Sequence, residues 1–108
     1  MSMYSKKKFT ETLNKLGNYT VNLRTFQDPR GRKYYSGFIT NEELEITVYV
    51  TSECFYNPHC DNKFLVRYAR RVGDYTGGIN NFVKPENTPF MVHTFLQSPK
   101  MYNAEFCK

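Results

Sequence analysis

The chain has 108 residues, 15 Lys plus Arg against 10 Asp plus Glu, a formal net charge of +5, and nine Tyr and nine Phe but no Trp. A domain of this length buries about 65% of the surface its unfolded chain exposes, and so large an aromatic payload argues against disorder. No apolar run nears the ~20 residues a bilayer span needs, and no secretory pattern follows Met1, so neither a membrane nor a secreted protein is expected.

Residues 8–16 read as a short helix, with Phe9, Leu13 and Leu16 on one stripe and Gly17 as the stop. Residues 19–26 alternate, with Tyr19, Val21 and Leu23 on one side and Thr20, Asn22 and Arg24 on the other. Asp28-Pro29-Arg30-Gly31 is a turn, because proline presets φ and glycine permits the exit. A second strand over 33–40 follows, rich in Tyr34, Tyr35, Phe38 and Ile39. After Asn41-Glu42-Glu43 the chain turns into a third. There Leu44, Ile46, Val48 and Val50 should be buried, and Glu45, Thr47 and Tyr49 more exposed. Short links make these three an antiparallel meander.

Residues 53–62 are a loop by composition. Residues 63–72 fit two templates. As a strand, Phe64, Val66 and Tyr68 line one side; as a helix, Phe64, Leu65, Tyr68 and Val72 form a stripe that Lys63, Arg67, Arg70 and Arg71 avoid. A cap at Asp61 or Asn62 and a stop at Gly73 decide for the helix. Thr88-Pro89 could open another helix, but the alternation Phe90, Val92, Thr94, Leu96 favours a strand. The expected architecture is α+β in a single small domain over residues 1–108: an N-terminal helix, a three-stranded meander, a basic helix and further short strands. That order would permit an OB-like barrel.

Charge is segregated along the chain. Residues 1–40 hold eight Lys or Arg against Glu11 and Asp28; residues 41–62 hold five acids and no Lys or Arg; residues 63–84 hold five bases against Asp74. Such polarity points to a charged partner. Three cysteines, Cys54, Cys60 and Cys107, are an odd number without the spacing of a disulfide framework, which suits a cytoplasmic protein with free thiols. Cys54, His59 and Cys60 share a loop, but two cysteines separated by five residues do not match a zinc site, so no metal or other cofactor is expected.

Two clusters carry the functional expectation. Guanidinium and ammonium groups at Lys63, Arg67, Arg70 and Arg71 suit phosphate oxygens. Arg30, Arg32 and Lys33 beside Tyr34 and Tyr35, with Tyr49 on the third strand, suit a strand whose bases stack on rings. Gly-rich phosphate loops, H-E-x-x-H and nucleophile elbows are all missing, and the only imidazoles, His59 and His93, sit among no carboxylates in sequence. The expectation is therefore a non-catalytic binder of single-stranded DNA or RNA with little sequence preference. The alternative is a small accessory subunit or inhibitor of a larger protein, encoded by a phage or mobile element, whose acidic middle and basic flanks would dock by charge.

Overall fold

Period-2 patterning builds most of the molecule, and it extends further along the chain than the helix signals suggest. The computed structural model describes residues 6–17, 19–27, 33–52, 63–75 and 78–106. Helix α1 (Lys6–Asn14) precedes strands β1 (Thr20–Gln27), β2 (Lys33–Asn41), β3 (Ile46–Thr51), β4 (Phe64–Ala69) and β5 (Asn81–Val83). A single 3-10 turn at Pro85–Asn87 leads into α2 (Thr88–Leu96) and α3 (Pro99–Phe106). All five strands form one antiparallel sheet in sequence order. This is the expected α+β domain with its β1–β2–β3 meander. The sheet is open rather than OB-like, because β1 and β5 lie at opposite edges. No described helix is long and apolar enough to cross a membrane.

Register sorts the side chains onto two faces. Ile39 opposes Val48, Val48 opposes Tyr68, and Val50 opposes Val66, so these residues share the face on which the helices lie. Phe9, Leu13 and Leu16 of the first helical segment join them in the main core, together with Val92, Phe95 and Leu96 of α2. The α1 contact is close: a Cβ at Gly37 would stand 2.8 Å from the Leu13 methyl group, which would have to turn aside.

Three expectations are corrected. Residues 64–69 are a central strand, not a helix: β3 and β5 pair with its two edges, and its two faces pack into separate clusters, Phe64, Val66 and Tyr68 on one and Leu65 and Ala69 on the other, which outweighs the cap-like residues at either end. Lys63, Arg70 and Arg71 consequently flank a strand instead of lining a helix, and Gly73, at φ 94°, belongs to a turn in which Asp74 N–H donates to the Arg71 carbonyl. Residues 88–96 are helical, not a strand. Thr88, Val92, Phe95 and Leu96 are buried at helical spacing, while Phe90, assigned to the apolar side of the alternation, is 75% exposed. The Thr88 hydroxyl donates to the Lys84 carbonyl and fixes the entry.

The third correction concerns β3. Ile46, Val48 and Val50 are buried as expected, but Leu44 sits in the preceding turn and is 38% exposed. Thr47 and Tyr49, expected outside, are buried, because the opposite face has a small core of its own. The turn is held by Asn41, whose Oδ1 accepts from the N–H groups of Glu43 and Leu44 and whose Nδ2 donates to the Leu96 carbonyl at 2.8 Å. One side chain thereby shapes the hairpin and ties it to α2.

Candidate binding face of the sheet

The face turned away from α1 and α2 alternates with the core along every strand. It carries Arg24 and Phe26 from β1, Tyr34, Ser36 and Phe38 from β2, Tyr49 and Thr51 from β3, and Leu65 and Arg67 from β4. Its centre is closed. Tyr75, from the segment joining β4 to β5, sets its ring edge against Phe26, Phe38 and Tyr49 at centroid distances of 5.7, 5.3 and 5.5 Å. Such edge-to-face contacts suit the ring quadrupoles. Beneath them Ser36 Oγ lies 3.1 Å from the Tyr49 hydroxyl and donates to Thr51 Oγ1 at 3.0 Å, so the buried hydroxyls satisfy one another.

Arg67 is part of that closure. Its guanidinium carbon stands 4.9 Å from the centre of the Tyr49 ring, one terminal nitrogen donates to the Tyr75 carbonyl, and the other donates to Asn80 Oδ1. A cation so engaged holds a loop onto a sheet and has little left to offer a phosphate. Tyr49, 3% exposed, has no open ring face for a base.

The margin is different. Phe26 and Tyr34 are cross-strand partners, half-buried, and stacked with centroids 5.3 Å apart and 20° between planes. Arg24, exposed, lies two residues from Phe26 on the same face. Further along β1 an open cleft of about 470 Å³ is floored by Thr20, Asn22, Thr40 and Thr47. Glu42 and Glu45 of the β2–β3 turn, with Arg70, Arg71 and Val72 beyond β4, complete its lining. Both signs of charge therefore meet in one concavity.

Of the residues expected to act together, Tyr34, Tyr49 and Arg67 share this face, but only Tyr34 keeps part of its ring open. Tyr35 points to the opposite face and packs near Phe9 at 6.2 Å. Arg71 and Arg70 are exposed and line the cleft; the Arg70 guanidinium carbon also lies 5.1 Å from the ring centre of Phe106, which packs against the main core. Lys63 is half-buried just ahead of β4. Arg30 and Arg32 lie outside the described residues, as do Cys54, His59 and Cys60, and of Lys33 only the backbone is described. Nothing in the sequence singles out Phe26 or Tyr75, and Arg24 is marked there only by its place on the polar side of the β1 alternation.

Two perturbed acids lie elsewhere. Burial, helped by the charge of Glu105, pushes the Tyr68 hydroxyl from its usual 10.0 up to about 12, and it donates to the Phe95 carbonyl at 3.0 Å. Glu105 itself is raised by burial, against a hydrogen bond from the Ile79 backbone that favours its charged form. It sits where Gly78, at φ 82°, passes so close to β4 that any Cβ would meet the Tyr68 carbonyl. These groups hold α3 and the β5 approach to the sheet and stand apart from the open margin. Among the described residues no group of three or more His, Cys, Asp or Glu is placed to hold a metal. No family model, curated protein or solved structure matches the chain.

Proposed function

We propose that the protein is a non-catalytic, cytoplasmic binder of single-stranded nucleic acid, with little sequence preference, which it holds along the open face of the sheet at the β1–β2 margin. The observation that carries this reading is the group formed by Arg24, Phe26 and Tyr34: two stacked, half-open rings with an exposed guanidinium beside them. Any base can stack on such a ring, and the cation suits the phosphate that follows it. The net charge of +5 adds a long-range attraction for a polyanion.

The experiment is a fluorescence anisotropy titration with labelled oligo-dT and oligo-U over a range of salt. Wild-type protein binds both, with affinity falling as salt rises. Arg24→Ala reduces the slope of log K against log salt by about 0.7, the value for one lost single-strand phosphate contact. Tyr34→Ala weakens binding by about 5- to 150-fold with little change in slope, as expected for one lost stack. No binding to either oligonucleotide at about 50 mM salt, where electrostatic binding is strong, overturns the reading.

A second reading, a small accessory subunit or inhibitor of a larger protein such as a phage or mobile element encodes, is favoured by the cleft. Glu42 and Glu45 stand with Arg70 and Arg71 on its walls, and mixed signs suit a protein surface of matching pattern better than a polyanion. Capture of a protein from host lysate that survives both nuclease and high salt, and is lost in Glu45→Lys, would favour it.

A further inference from the structure

We infer that the protein forms a symmetric dimer by antiparallel pairing of β1 with β1 of a second copy, making one ten-stranded sheet. The inference rests on the β1 edge and not on the nucleic-acid reading.

Among the described strands β1 pairs with β2 alone. It is eight residues long, pairs with β2 at every position without a bulge, and contains no Pro, Gly or Lys. Sheet edges that stay unpaired are usually short, bulged or guarded by such residues. The other edge is guarded in this way: β5 has three residues and Pro85 follows closely. At β1 the only charge is Arg24, which points to the open face rather than along the edge.

The direction of the backbone groups fixes what can pair. Tyr35 N–H donates to Ser52 Oγ at 2.9 Å, and the Tyr35 carbonyl accepts from Ser52 N–H at 2.8 Å, so Tyr35 turns both backbone groups toward the β3 side. Alternate residues of an antiparallel strand face opposite neighbours. Ser36 and Phe38 therefore face β1, where they oppose Arg24 and Asn22. It follows that Val21, Leu23 and Thr25 turn their backbone donors and acceptors outward.

A two-fold axis through Leu23 uses all three. Leu23 then pairs with its own copy, Val21 with Thr25, and the side chains of Asn22 lie opposite those of Arg24. No like charges meet, whereas centring on Arg24 would oppose two guanidinium groups. Leu23, 42% exposed on the helix-covered face, would gain a partner. There is room for it. The Leu13 contact at Gly37 seats α1 over β2, and strands ~4.8 Å apart put β2 and its copy ~14 Å apart, enough for two helices ~10 Å across. The pairing is isologous and closes on itself, as most homodimers do.

Sedimentation equilibrium across a wide concentration range, without nucleic acid, tests this apart from the binding reading. Wild-type protein should approach twice its 12.8 kDa mass. Leu23→Pro removes an outward N–H while sparing the bonds to β2, and should yield a monomer. Asn22→Arg faces Arg24 of the copy twice over, and should raise the dimer Kd by about 2- to 30-fold, two unfavourable cross-strand pairs. Asn22→Glu should lower it by a similar factor. A wild-type chain that stays monomeric, or a dimer whose Kd is equal in Asn22→Arg and Asn22→Glu, overturns the inference.

Discussion

On one face of the sheet Ile39, Val48, Val66 and Tyr68 are covered by helices; on the other, among the described residues, Tyr75, Phe82 and the Arg67 side chain pack against Phe38, Tyr49 and Leu65. The first is a continuous apolar core, in which removing a side chain leaves a cavity. The second is thin and laced with hydroxyls, and it opens at the β1–β2 margin into rings and an exposed cation. The same strands thus supply stability on one side and, in the proposed function, a surface for contact on the other. A charged residue on the second face is either part of its cover or available to a ligand, and geometry separates the two.

The largest expected effect is on the covered face. Phe64, fully buried against Phe9 at 5.2 Å, should cost about 3–5 kcal/mol when changed to Ala. Urea denaturation measures it, and a loss below ~1 kcal/mol would mean that the helix-covered face is not the principal core. Next comes alkaline pH. The Tyr68 hydroxyl is held neutral in the folded state, with its pKa raised from 10.0 to about 12. Its contribution is complete below pH 10 and is lost as pH rises through about 12, by about 2–3 kcal/mol. Tyr68→Phe should flatten that part of the alkaline stability profile.

The smaller effects lie on the open face and distinguish two arginines that look alike in sequence. Arg67→Ala should cost about 1–3 kcal/mol, since it frees the Tyr75 carbonyl and uncovers the Tyr49 ring. Arg71→Ala, at an exposed position, should change stability by no more than about 0.5 kcal/mol. Equal destabilisation of the two would erase the distinction between cover and free cation.

This pair also shows what the sequence could disclose. The meander was legible because Val21, Leu23, Ile46, Val48 and Val50 repeat every second residue, and α1 because Phe9, Leu13 and Leu16 follow a helical stripe. β4 was not, because Phe64, Leu65, Val66 and Tyr68 are apolar on both faces, and a strand buried on both sides loses its alternation. α2 failed in the opposite sense. Val92 and Leu96 satisfy both periods, and the exposure of Phe90 with the burial of Phe95, both tertiary facts, decides between them. On the second face Tyr34 is half-buried, whereas Tyr49, expected to be more exposed, is buried, since Tyr75, distant in sequence, is brought against it by the β4–β5 connection.

The central claim is that the open margin of the sheet, and not its closed centre or its helical side, receives a ligand. NMR of isotope-labelled protein titrated with oligo-dT tests it residue by residue. Backbone signals of Arg24, Phe26 and Tyr34 should move first and furthest, while those of Leu13, Val66 and Val92 stay in place. Shifts concentrated on α1 and α2, or none anywhere as oligonucleotide is added in excess, would contradict it.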